Sequence, residues 1–90
     1  MNKAELIDGV INYTGLTKTD SREAVNTIIS VITDSLARGE KVTLVGFGTF
    51  QVGTRKARIG RNPRTGESIQ IPARKVPLFK AGKGLKEKVS

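Results

Sequence analysis

The side chains with the most chemistry to offer are cations. Arg55, Lys56, Arg58, Arg61, Arg64, Arg74 and Lys75 fall in one stretch that holds a single anion, Glu67. Guanidinium and ammonium groups at this density supply hydrogen-bond donors and a positive potential, the combination that recognises phosphate. Arg stays protonated, so it serves neither as a nucleophile nor as a general base. The remaining residues do not complete a catalytic set. There is no Cys and no His, which excludes disulfides, thiolate chemistry, imidazole acid–base catalysis and the commonest zinc ligands. No GxxxxGK[ST] loop occurs, and most carboxylates fall on the polar faces of two predicted helices rather than converging. The sequence predicts a binding protein and not an enzyme, with no metal, no cofactor and no small-molecule substrate.

The charge is also segregated. Of the net +8, residues 1–40 contribute −2, from Lys3, Lys18, Arg22 and Arg38 against Glu5, Asp8, Asp20, Glu23, Asp34 and Glu40. Residues 41–90 contribute +10, from twelve cations against Glu67 and Glu87. An acidic scaffold followed by a strongly basic half points to a polyanion partner. Charges at Lys3, Glu5 and Asp8 interrupt the apolar stretch a signal peptide needs, and no apolar run approaches the roughly 18 residues of a membrane span. The expectation is a soluble protein that is neither exported nor membrane-bound.

The elements that must position these cations follow from periodicity. Asn2 caps a predicted helix from Lys3 to about Tyr13, with Leu6, Ile7, Val10 and Ile11 at helical spacing and Gly15 as the stop. Thr17 and Asp20 resemble a capping box for a second helix that Gly39 closes. Along it Ala24, Val25, Ile28, Ile29, Val31, Ile32 and Leu36 fill an arc of about 160°, wider than the ~100° stripe one core requires. The surplus predicts a partner chain, as does a length of 90 residues, which builds only a modest core. Leu, Ile, Val and Phe make up 25 of the 90 residues, above the ~20% below which chains stay disordered.

After Gly39 the period becomes two, through Val42, Leu44, Phe47, Phe50 and Val52, with Gly46 and Gly48 marking a tight turn. From Arg55 to Lys75 strand character continues as a long hairpin around the turn residues Asn62–Gly66. Alternation places Arg55, Ala57, Ile59 and Arg61 on one face and Lys56, Arg58 and Gly60 on the other, so cations occupy both. A strand packed on its own core reserves one face for apolar residues, and this ribbon is therefore expected to leave the body and lie along something anionic. Charge runs are commonly only solvated. More than twenty residues of such loop, however, are uncommon in a compact domain unless functional. Ala81, Leu85 and Val89 predict a short C-terminal helix, weakened by Gly82 and Gly84 at roughly 1 kcal/mol each.

The run GFGTFQVGTRKARIGRNPRTG at Gly46–Gly66 resembles the signature of the HU/IHF family of bacterial histone-like nucleoid-associated proteins, and IPARKVPLFKAGKGLK resembles the segment after its arm. The resemblance covers nearly the whole chain and is closest to HU. It implies an α+β fold as an intertwined dimer: a two-helix N-terminal base, a three-stranded antiparallel sheet with a long protruding β-hairpin arm, and a short C-terminal helix. Within one domain over residues 1–90, residues 1–40 would form the helical dimerisation base. Residues 41–54 and 75–80 would form the saddle sheet, 55–74 the DNA-binding arm and 81–90 the last helix. The family's arms grip the DNA minor groove, and that docking mode is an established property of HU and IHF.

What the resemblance implies for single residues is contact with double-stranded DNA by Arg55, Lys56, Arg58, Arg61, Asn62, Pro63, Arg64, Arg74 and Lys75. Lys80, Lys83 and Lys86 would add contacts from the body. Pro63 matches the intercalating wedge, although read alone it is an ordinary Asn-Pro turn. Phe47, Phe50, Phe79, Ile28, Ile29, Ile32 and Leu44 would form the dimer core, in a homodimer or a heterodimer with a paralogue. The implied function is DNA binding with little sequence preference, bending and compacting the duplex in a cytoplasmic or organellar nucleoid. Two departures stand out: Glu67-Ser68, where many relatives are more basic, and Gly84, where a better helix former is usual. The rival reading is a small basic RNA-binding or ribosome-associated protein. Such a protein normally offers aromatics for stacking, and here Tyr13 and three Phe are all there are. A membrane-surface role would need the cations along an amphipathic helix.

Overall fold

The computed structural model describes residues 1–90, which divide into two compact units, Met1–Asp34 and Ser35–Ser90. The first unit is helical. Helix α1 (Lys3–Thr14) starts where Asn2 Oδ1 accepts the Glu5 N–H at 2.9 Å, and stops at Gly15, whose φ of 71° is the left-handed value a side chain disfavours. Helix α2 (Lys18–Ala37) starts with Thr17 Oγ1 accepting the Asp20 N–H at 3.1 Å. Only this half of the expected capping box forms, because the Asp20 carboxylate is one methylene shorter than the usual Glu. At its far end Glu40 N–H bonds Ser35 C=O and Gly39 N–H bonds Leu36 C=O, the paired closure of a helix by a left-handed residue.

The interior of this unit is small. Ile7 on α1 and Ser21 and Val25 on α2 are its buried residues, and the Ser21 hydroxyl has no hydrogen-bond partner, a cost of about 1–3 kcal/mol. The rest of the apolar arc on α2 stays uncovered: Ile28 is 58% exposed, Ile29 48% and Val31 57%. One chain therefore uses only part of the surface that its sequence makes apolar.

The second unit is an antiparallel sheet in the order β1-β2-β5, formed by β1 (Val42–Leu44), β2 (Gly48–Arg55) and β5 (Arg74–Ala81). The register pairs Val42 with Phe50, and Phe50 in turn with Phe79. Alternation from these pairs places Val42, Leu44, Phe50, Val52, Pro77 and Phe79 on one face together with Thr54 and Lys75, and Thr43, Thr49, Gln51, Arg55, Arg74 and Lys80 on the other together with Val76 and Leu78. The apolar face carries the Phe cluster, with the Phe79 ring 4.9 Å from Phe50 and 5.4 Å from Phe47. Phe47 and Phe79 are nevertheless 45% and 44% exposed.

Helix α3 (Lys83–Val89) is shorter than the period of Ala81, Leu85 and Val89 predicts, because Ala81 closes β5 opposite Gly48. Gly84, read from sequence as a defect, has a packing reason. A Cβ there would lie 2.6 Å from the Gly46 carbonyl oxygen, so only glycine lets the helix seat on the β1–β2 turn. Beyond Arg55 and Arg74 the ladder lapses for two residues on each side. It resumes in the same register as a separate two-stranded ribbon of β3 (Arg58–Arg61) and β4 (Ser68–Ile71).

Candidate nucleic-acid interface

The cations gather at the lapse and along the ribbon. Arg55 and Arg74 are direct cross-strand partners, the last rung of the β2–β5 ladder. Like charges opposed in this way destabilise an antiparallel pair by a few tenths to about 1 kcal/mol unless an anion lies between or above them. Lys56 and Arg58 follow at once, and with Arg55, Arg74, Ile71 and Pro72 they line an open recess of about 260 Å³. Four positive side chains around an apolar floor of Ile71 and Pro72 suit a phosphate and its adjoining sugar.

Within the ribbon the pairs are Arg58 with Ile71, Ile59 with Gln70, Gly60 with Ile69 and Arg61 with Ser68. One face thus carries Arg58, Gly60, Ile69 and Ile71, and the other Ile59, Arg61, Ser68 and Gln70. Arg58 and Arg61 point to opposite faces, as alternation requires, and Ile59 is 75% exposed between them. Neither face has a layer packed on it that would make these residues structural.

The tip is tied by its own backbone. Asn62 N–H donates to Glu67 C=O at 2.8 Å, Gly66 N–H donates to Asn62 C=O at 2.8 Å, and Asn62 Oδ1 accepts the Arg64 N–H at 2.9 Å. Half-buried Asn62 therefore acts as the turn's internal acceptor, which leaves Pro63 and Arg64 exposed at the apex. Neither of the chain's two ion pairs, Arg38–Glu40 and Lys83–Glu87, involves an arm residue. The arm's guanidinium and ammonium groups are free to bind elsewhere.

The structure does not bring every predicted residue to one surface. Lys75 pairs with Thr54 and so lies on the opposite face of the sheet from Arg55, Arg74 and Lys80. Lys83 and Lys86 are exposed on α3, and the 4.0 Å contact of Lys83 with Glu87, between two exposed side chains, is too weak to hold it. Of the residues assigned to a dimer core, Ile28, Ile29, Leu44, Phe47 and Phe79 are exposed and Ile32 and Phe50 half-buried in the single chain. Sequence reasoning missed the recess floor of Ile71 and Pro72, and the opposition of Arg55 to Arg74. The latter was available by counting outward, since each lies nine residues from the Arg64–Thr65 centre of the turn.

Comparison with known proteins agrees over the full length. The family described as "Bacterial DNA-binding protein" matches residues 1–90. The chain is 54% identical over 89 residues to DNA-binding protein HU of Geobacillus stearothermophilus, covering 99% of each. It is 59% identical over 88 residues to DNA-binding protein HU of Lactococcus lactis, covering 98% of this chain and 97% of that one. Among solved structures, an Anabaena HU–DNA cocrystal aligns with a TM-score of 0.96 at 47% identity, covering 100% of this chain and 98% of that one.

Proposed function

The chain belongs to the bacterial DNA-binding protein family, and from that premise we propose how it grips DNA: each β3–β4 ribbon lies in the minor groove of a duplex and holds it bent. The protein is an architectural DNA-binding protein of the HU kind and not an enzyme. The observation that carries the proposed site is the placement of Arg55 directly opposite Arg74 with Lys56 and Arg58 beside them, an arrangement that costs stability without a polyanion and repays it with one.

In this reading Arg55, Lys56, Arg58, Arg61, Arg64 and Arg74 contact phosphate, sugar or the groove floor, and Lys80 extends the positive surface across the polar face of the sheet. Lys83 and Lys86 reach phosphates farther along the bent duplex. Lys75, on the other face, contributes field more than contact. Asn62 shapes the turn, and Pro63 is the apolar wedge that opens one base step, at a cost of a few kcal/mol in unstacking. Contacts of this type read little sequence, so binding tracks the deformability of the duplex more than its bases.

The active species is a dimer. The wide arc of α2 and the Phe face of the sheet are apolar yet about half exposed in one chain, more than a stable subunit leaves in water. A second copy covers them and supplies a second arm. The site of action is the nucleoid in the cytoplasm; no helix of the protein is long and apolar enough to cross a membrane.

The test is a titration at matched salt against two duplex DNAs of unrelated sequence, a duplex RNA and anionic vesicles. Both DNAs should bind alike and more tightly than RNA, whose wide, shallow minor groove does not enclose a ribbon. Preference for RNA or vesicles over duplex DNA would overturn the reading.

A further inference from the structure

We propose that Glu67 is a built-in electrostatic brake on the arm, a residue that weakens the grip next to the wedge and so limits how long the protein stays at one place on DNA. The inference rests on the DNA-binding reading above. Glu67 is the only anion between Lys41 and Lys86, a segment with nine cations between those two ends. It stands four residues from Pro63, and its backbone is fixed on both sides. Its carbonyl accepts the Asn62 N–H at 2.8 Å and its own N–H donates to Thr65 Oγ1 at 3.3 Å. The carboxylate is therefore held at the tip rather than free to drift from it.

Nothing neutralises this charge. Glu67 is exposed and takes part in neither ion pair of the chain, although Arg61 and Arg64 are close in sequence. Its side chain caps no helix and makes no side-chain hydrogen bond, so no structural role accounts for an acid here. In the groove the tip lies between two rows of phosphates, where a carboxylate meets repulsion at short range in a partly dehydrated space. The local penalty offsets part of the attraction that the arm's cations create. Steering from a distance depends on the net charge of the arm, which stays strongly positive. The brake therefore acts mainly on the dissociation rate.

The experiment compares the full-length parent with Glu67→Gln, Glu67→Lys and, as a control, Glu23→Gln, which raises the net charge equally but from the exposed surface of α2. Binding to an intact duplex is followed in equilibrium and in stopped flow. At about 50 mM salt Glu67→Gln should bind roughly five- to tenfold tighter, mostly through slower dissociation, with the gain shrinking toward ~200 mM as screening grows. Glu67→Lys should bind tighter still and steepen the salt slope by up to about 0.9 per arm. Glu23→Gln should stay within about twofold of the parent. The proposal is overturned if Glu67→Gln matches the parent, if its gain is independent of salt, or if Glu23→Gln gains as much. Failure of the parent itself to bind duplex DNA would instead remove the functional reading on which the brake depends.

Discussion

The β2–β5 ladder and the β3–β4 ribbon are made from the same two runs of chain in one continuous register, yet they use it for opposite ends. In β2–β5, alternation gathers the Phe rings and most other apolar side chains on one face and sets Arg55, Arg74 and Lys80 on the other. In β3–β4 it places Arg58 and Arg61 on different faces and leaves Ile59 in solvent. Register alone thus decides neither stability nor function. A sheet becomes a core where one face gathers most of its apolar side chains, and a ligand-seeking arm where cations and exposed apolar residues are spread over both, because two strands without a packing layer are marginal in water.

The largest effect expected from breaking this contrast lies on the core side. Phe47→Ala removes a ring from the cluster on the apolar face and should cost about 3–5 kcal/mol per site. If that face is the dimer interface, denaturation midpoints will depend on protein concentration and the variant will lose its dimer as it unfolds. Light scattering of the parent at micromolar concentration should report about twice the 9.7 kDa chain mass. A well-folded monomer would remove the two-copy architecture.

The next effect sharpens the arm side. Trypsin should cut first among Arg55, Lys56, Arg58, Arg61 and Arg64, where the ribbon has least packed against it, and bound duplex DNA should suppress those cuts. Cleavage that begins in α2, or an arm pattern unchanged by DNA, would mean that the ribbon is neither the weakest element nor the binding one.

The smallest effect separates grip from bend. Pro63→Ala keeps Arg61 and Arg64 beside the apex but is too small to fill an opened base step. It should lower affinity modestly on linear DNA while clearly reducing the bend read by energy transfer between end labels. Nicked DNA, which costs less to deform, should mask the defect. A variant that bends an intact duplex as well as the parent would make Pro63 an ordinary turn residue.

Much of this was legible from residue order, and the reasons are local. Asn2, Gly15, Thr17 and Gly39 mark the helix ends by hydrogen bonds within a few residues, and period-two alternation finds the strands. The partition of charge found the arm before any pairing was known. What escaped depends on contacts between distant positions. Gly84 read as a weak helix former because the Gly46 carbonyl that excludes a side chain lies 38 positions away. Ala81 fitted a helical period but pairs with Gly48. Lys75 looked like its neighbour Arg74, yet one step along a strand turns it to the other face.

Free cations on the arm, not base readout, are expected to hold the duplex, and the dependence of affinity on salt separates the two. If a dimer sets roughly six to ten cations on phosphates, log K against log salt should fall with a slope of about −5 to −9. That slope should be the same on duplexes of unrelated sequence, and Arg58→Ala should make it shallower by the same amount on each. A flat salt response, or a loss in Arg58→Ala confined to one sequence, would mean that the arm's cations are not what holds the duplex.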